Sequence, residues 1–187
     1  TLTPTNVTYV NTDRWYQKQA GSFNWSSSKI TANLSQLTNF HINFLYKPNS
    51  NSIVWAAQIV LNSYTWTTDN ICFIHSHPDS NFYKAFYIIN TSWTYFPCQL
   101  VTTPQSWIWY NIWLEVSWTT MKIYLNWKLE NTASFTWTIR TNTLLSIWAV
   151  TWTWSFLNWT VQWVRIYNRV LNLNEIERII KKDGILV

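Results

Sequence analysis

Eight acids, a His-x-His-Pro run and two cysteines are the side chains of this 187-residue sequence whose types and spacing suit chemistry. The acids are Asp13, Asp69, Asp79, Glu115, Glu130, Glu175, Glu177 and Asp183. Retaining hydrolysis of a glycosidic bond needs a nucleophile and an acid about 5–5.5 Å apart. No strand-like segment carries two acids in alternation, and Glu175 with Glu177 falls in a helical pattern, where residues two apart do not face each other. Glycoside hydrolysis is therefore not expected. His75-Ser76-His77-Pro78-Asp79 groups two imidazoles with a carboxylate, a set of the kind that binds zinc. Cys72 and Cys98 could pair in an oxidising compartment, or serve as two small buried hydrophobes. No P-loop, Gly-rich dinucleotide turn or Ser-centred nucleophile elbow is present.

The elements that must position these groups are strands. Phe40-His41-Ile42-Asn43-Phe44-Leu45-Tyr46 alternates, with Phe40, Ile42, Phe44 and Tyr46 on one face, and stops at Lys47-Pro48-Asn49-Ser50-Asn51. Residues 53–61, 71–75, 84–90, 112–116, 121–125, 144–150 and 161–167 repeat the pattern at intervals typical of a sandwich. Only the end changes period. Asn172 can cap a helix there, Glu175 can reach back as its capping-box partner, and Ile176, Ile179 and Ile180 make one apolar face. Glu177 and Lys181 can pair on another face, and Asp183-Gly184 ends the run.

The length fits one domain with a sizeable core. Only 11% of residues are charged while Thr, Asn and Ser are abundant, a composition of secreted or surface β proteins rather than cytosolic helical enzymes. The net charge of +5 is partly local, in Arg178, Lys181 and Lys182, and no basic stripe interleaved with aromatics runs along the chain. Nucleic acid is thus not the expected partner. No apolar stretch is long enough to span a membrane, and any targeting segment is expected upstream of Thr1.

One feature of composition conflicts with so many strands and turns: 16 tryptophans stand against 2 glycines. Asn24-Trp25, Asn126-Trp127 and Asn158-Trp159 each interrupt apolar runs where Asn-Gly would be the strongest short hairpin signal, because a type I′ turn needs φ > 0 at both central residues. Trp148, Trp152, Trp154, Trp159 and Trp163 crowd a segment that reads as strands joined by glycine turns once glycine is put in their place. The pattern is explained if the source reads UGA as glycine and the sequence was written with a table that reads it as tryptophan. The positions assigned to this are Trp25, Trp118, Trp127, Trp137, Trp148, Trp152, Trp154, Trp159 and Trp163, whereas Trp109 reads as a core tryptophan. Trp15, Trp55, Trp66, Trp93, Trp107 and Trp113 stay unassigned. The rival reading is a tryptophan-rich surface built to stack on sugars, which requires the rings to share a strand face.

With glycines restored, the chain resembles LamG-like jelly-roll domains of the concanavalin A-like lectin/glucanase superfamily over nearly its whole length. Gly21-Ser22-Phe23-Asn24-Trp25-Ser26-Ser27 is similar to the family's opening, and Leu37-Thr38-Asn39-Phe40-His41-Ile42-Asn43-Phe44 through Lys47-Pro48 to its next strand. Trp109-Tyr110-Asn111-Ile112 followed by Thr120-Met121-Lys122-Ile123-Tyr124-Leu125-Asn126-Trp127-Lys128-Leu129 resembles its centre. Val164-Arg165-Ile166-Tyr167-Asn168-Arg169-Val170-Leu171 with Glu175-Ile176 resembles its closing strand and helix. Each departure at a family glycine is a tryptophan.

The resemblance implies an all-β antiparallel jelly-roll sandwich with a short C-terminal helix, one domain over residues 1–187 with its core at about 20–182. It implies a noncatalytic carbohydrate-binding or adhesion module of a secreted or cell-surface bacterial protein, whose partners are glycans or a surface protein. The alternatives are a structural protein–protein module and a divergent glycoside hydrolase. Glucanases of the superfamily place carboxylates as Glu-x-Asp-x-x-Glu on one strand, a set missing here. Calcium is implied by the family, yet the sequence shows no carboxylate cluster for it. The His-x-His-Pro core is similar to that of the JAMM zinc isopeptidases, but Phe86 and Ile89 stand where those add a serine and an aspartate. Sugar recognition calls for loop aromatics with amide or carboxylate partners, which points to Asp69, Asn70, Trp93 and Tyr95.

Overall fold

The computed structural model describes residues 2–5, 8–11, 19–22, 29–33, 37–48, 58–63, 70–76, 84–89, 94–136, 139, 144–147 and 159–182. Side chains are described over 37–48, 71–73, 84–88, 94–136, 139 and 160–181. Among these residues, fourteen strands and one helix follow in chain order: β1 Leu2–Thr5, β2 Thr8–Asn11, β3 Gln19–Ser22, β4 Lys29–Asn33, β5 Phe40–Pro48, β6 Gln58–Ser63, β7 Asn70–Ser76, β8 Ala85–Ile89, β9 Tyr95–Gln99, β10 Tyr110–Ser117, β11 Thr120–Leu125, β12 Lys128–Ser134, β13 Leu144–Ile147, β14 Trp159–Tyr167 and α1 Leu173–Lys182. They form two seven-stranded antiparallel sheets, ordered β1-β4-β13-β6-β7-β8-β9 and β12-β11-β10-β5-β14-β3-β2. The architecture is the expected β-sandwich with a single short helix among the described residues.

Alternation builds the core. Phe40, Ile42, Phe44 and Tyr46 of β5 pack with Ile112, Leu114 and Val116 of β10 and Met121 and Ile123 of β11 against Phe73, Phe86 and Ile88 of the first sheet. Phe44, Tyr46 and Phe73 meet edge to face, with ring centroids 5.4–6.1 Å apart. Two details differ from the sequence reading. β5 continues through Lys47 and Pro48 because β14 pairs with them, through Thr160 and Trp159. Trp159 accordingly opens a strand instead of filling a turn, and Asn158 lies outside the described residues.

Six non-glycine residues among those described have left-handed backbone, and four are tryptophans: Trp107 (φ 67°), Trp118 (54°), Trp127 (71°) and Trp163 (53°). Asn126 (47°) and Trp127 form the two-residue turn between β11 and β12, with φ positive at both, as a type I′ hairpin requires. Trp118 is the first residue of the turn joining β10 to β11, the glycine position of a type II′ turn. Trp163 sits where β14 bulges against β5. Such a bulge takes glycine for the same reason. Trp109 and Trp113 have ordinary backbone. Trp25, Trp137, Trp148, Trp152 and Trp154 lie outside the described residues, as do Trp15, Trp55, Trp66 and Trp93.

The cysteines do not pair. Cys98 of β9 stands opposite the core residue Phe86 and turns inward, while Cys72 of β7 stands opposite Tyr87 on the other face of the same sheet. β8 lies between them, so no bridge can form without dismantling the sheet. Burial pushes the Cys98 thiol up to about 11 and Cys72 higher still. A reducing agent should leave the melting temperature unchanged, and a thiol reagent should label both cysteines only after unfolding. Rapid labelling of the folded protein would contradict this placement.

Candidate functional site

On β5 and β10 both faces of the second sheet are buried, and the outer one carries polar side chains. On β10, Ile112, Leu114 and Val116 point inward, so Asn111, Trp113 and Glu115 point outward. β5 sets His41 opposite Glu115 and Asn43 opposite Trp113, while β11 adds Lys122 and Tyr124 on the other side. His41, Asn43, Asn111, Trp113 and Glu115 are all buried. Helix α1 accounts for part of this cover, because Leu171, Ile176 and Ile180 form one wall of a groove whose other wall holds Trp113, Glu115, Lys122, Tyr124 and Trp127. The groove encloses about 820 Å³.

Glu115 is the centre of the charged end. Its Oε1 accepts from Lys122 Nζ at 2.9 Å and its Oε2 from the Tyr124 hydroxyl at 3.2 Å. His41 Nε2 lies 3.1 Å from Oε2, close enough for electrostatic attraction though off the line of a good hydrogen bond. His41 Nδ1 accepts the Leu171 backbone N–H at 3.0 Å. That bond assigns the proton of a neutral ring to Nε2, toward the carboxylate. One imidazole thereby ties the sheet to the chain entering α1.

Burial pushes the Glu115 carboxyl up, but the His41 and Lys122 contacts outweigh it and hold it at about 2. Burial and the Glu115 charge raise the Tyr124 phenol. A carboxyl lower in the folded than in the unfolded chain stabilises the fold above its unfolded value, and the contribution is lost as pH falls from about 4.5 towards 2. The shift corresponds to about 3 kcal/mol. Glu115→Gln should flatten the stability profile across that window, as read from urea unfolding at several pH values. An unchanged acid limb would contradict the assignment.

Helix α1 starts as its sequence dictates. Asn172 Oδ1 accepts from Glu175 N–H at 3.0 Å and Glu175 Oε2 accepts from Asn172 N–H at 2.9 Å, a reciprocal capping box. Arg169 Nη1 also donates to Glu175 Oε2 at 2.8 Å, and these partners hold the Glu175 carboxyl at about 2. Glu177 and Lys181 pair at 3.7 Å on the exposed face.

The fold is shared with known β-sandwich domains. Domain 4 of AbnA, a GH43 extracellular arabinanase from Geobacillus stearothermophilus solved with arabinotriose, superposes with a TM-score of 0.74 at 12% identity, covering 96% of this chain and 86% of that one. The receptor binding domain of botulinum neurotoxin C/D mosaic serotype gives 0.71 at 13% identity, covering 97% of this chain. The ligand binding domain of botulinum neurotoxin serotype D, solved with N-acetylneuraminic acid, gives 0.70 at 12% identity and the same coverage. The chain spans 46% of each neurotoxin domain. No protein-family model matches the sequence, and neither does any curated protein. At these identities the likeness is one of fold.

Of the ligand-binding candidates Asp69, Asn70, Trp93 and Tyr95, Tyr95 is the one whose side chain is described, and it does not line the groove. Asp69 and Trp93 lie outside the described residues, and Asn70 opens β7 with its side chain likewise outside them. Tyr95 opens β9, in the first sheet, exposed and edge-on to Tyr87. His75 lies in β7, while His77, Pro78 and Asp79 are outside the described residues. Among the described residues no three of His, Cys, Asp and Glu group so as to hold a metal ion. Also among them, no helix is long and apolar enough to cross a membrane. The residues that do converge are His41, Trp113, Glu115, Lys122 and Tyr124. Alternation of Asn111, Trp113 and Glu115 with Ile112, Leu114 and Val116 carried that signal.

Proposed function

We propose that the chain is a noncatalytic carbohydrate-binding module, a single LamG-like domain of a secreted or surface protein, and that its groove beside α1 takes the sugar. The observation that carries this is the groove's composition: Tyr124 supplies an aromatic face next to the buried Trp113, while Glu115 and Lys122 supply an acceptor and a donor side by side. A sugar presents an apolar ring face and a rim of hydroxyls, which such a set matches. The volume is that of a small-ligand site. The sugars held by the arabinanase domain and one of the neurotoxin domains favour the same class of ligand. Against hydrolysis, Glu115 is held ionised by His41 and Lys122 and is unsuited to the general-acid role, for which a glycosidase raises the pKa of a carboxyl.

The reading includes glycine, encoded by UGA, at the left-handed tryptophan positions. Left-handed backbone costs a residue with a Cβ roughly 1–2 kcal/mol, and no selective reason favours placing the largest side chain there in four separate turns, loops and bulges. Trp107, unassigned from sequence alone, joins this group by its φ of 67°, whereas Trp113 sits in a regular strand and is kept as tryptophan.

The test is titration with arabinotriose and sialyllactose, followed by a glycan array, reading tryptophan fluorescence and calorimetric heat. Binding is expected, weakened about tenfold by Lys122→Ala through loss of one charge-assisted hydrogen bond. Failure of every glycan at millimolar concentration would contradict the reading.

A further inference from the structure

Among the described residues, the outer face of the second sheet buries three polar atoms without a partner besides His41 Nε2, which faces Glu115: Asn43 Oδ1, Asn111 Nδ2 and Trp113 Nε1. The rest of each amide is committed, since Asn43 Nδ2 donates to Asn111 Oδ1 at 2.7 Å and to the Ile112 carbonyl at 3.0 Å. Buried polar groups are nearly always satisfied, so three orphans on one face call for a missing partner. They also lie in register. Tyr124, Trp113, Asn43 and Arg165 stand opposite one another across β11, β10, β5 and β14, with Asn111 two residues before Trp113.

Both ends of this row are flanked by left-handed tryptophans. The Trp127 ring lies over Trp113, centroids 5.3 Å apart, and its own Nε1 is buried without a partner. The Trp163 ring takes the Arg165 guanidinium at 5.1 Å. A glycine at either position keeps the backbone and removes the ring.

We infer that, with glycine at 127 and 163, the row becomes an open groove that continues the site beside α1 and binds a linear, neutral oligosaccharide laid across the strands. This rests on the carbohydrate-binding reading and extends it to a defined floor. Asn111 Nδ2 and Trp113 Nε1 are donors and Asn43 Oδ1 is an acceptor, and a hydroxyl is both, so successive hydroxyls of a glycan satisfy all three. Removal of the Trp127 ring frees one face of Trp113 for stacking. Four adjacent strands span about 14 Å between the outermost two, a length that favours several sugar rings over one. The sugar is neutral because Glu115 is already paired with Lys122 at the adjoining end.

The experiment compares the tryptophan form with the double variant Trp127→Gly, Trp163→Gly, using neutral fragments of arabinan, xylan, mannan and β-glucan. The double variant should bind at least one of them about tenfold more tightly or better, and Asn111→Ala on that background should remove about tenfold. In parallel, the Trp113 indole N–H resonance should shift on addition of sugar, a readout that does not depend on how the Asn111 variant folds. Equal binding by the two forms, or an unmoved Trp113 resonance, would overturn this inference while leaving the groove beside α1 intact. Absence of binding by either form would overturn both.

Discussion

A variant with Trp107→Gly, Trp118→Gly, Trp127→Gly and Trp163→Gly should be more stable than the tryptophan form by roughly 1–3 kcal/mol, a rise in Tm of about 3–10 °C. Each site relieves roughly 1–2 kcal/mol of left-handed strain. Against this stand the greater freedom of glycine in the unfolded chain, about 0.5–1 kcal/mol per site, and the packing that the Trp127 and Trp163 rings lose. Trp107 and Trp118 lose almost nothing, being 67% and 72% exposed. The four sites lie in separate turns, loops and bulges, so their effects should add. The matching alanine variant separates backbone from side chain, because alanine removes the ring but keeps the Cβ. It should show no comparable gain. Alanine and glycine forms of equal stability would place the effect in the rings and remove the argument from φ.

The second large effect is expected at His41. Its imidazole is fully buried, accepts the Leu171 N–H and faces the Glu115 carboxylate. His41→Ala strands the buried Leu171 N–H and takes one contact from a carboxylate that keeps Lys122 and Tyr124, which costs about 2–3 kcal/mol. The loss should be felt first where α1 joins the sheet. Hydrogen exchange is therefore expected to speed up over residues 171–182 before the strands of the core respond. Chemical denaturation gives the total. A cost below about 1 kcal/mol, or exchange that rises evenly across both sheets, would show that His41 is ordinary filling and not the tie between sheet and helix.

Much of the fold was legible because its signals are local. The alternation of Phe40, Ile42, Phe44 and Tyr46 placed β5, and Asn172 with Glu175 placed the start of α1 by a capping box that the structure contains bond for bond. The Asn126-Trp127 turn followed from the demand of a type I′ hairpin for positive φ. Strands β1 to β4 and β9 were missed because short strands with Pro, Gly or mixed polarity carry no clear period. The site was largely illegible for a different reason. A half-exposed strand and one covered by a distant segment have the same alternating sequence, so the place of His41 is not legible until the Leu171 backbone is set against it. Loop aromatics such as Tyr95 drew attention by composition, whereas the residues that converge do so by register between strands far apart in the chain.

The mass of the tryptic peptide Ile123-Tyr124-Leu125-Asn126-Trp127-Lys128, isolated from the cells that make the protein, tests the central claim most directly. Position 127 is expected to weigh as glycine, which would make the left-handed turn unstrained and uncover Trp113 and its polar neighbours as a sugar-binding floor. If it weighs as tryptophan, the native chain carries that ring at a φ of 71° over Trp113, and both the glycine reading and the open groove are contradicted.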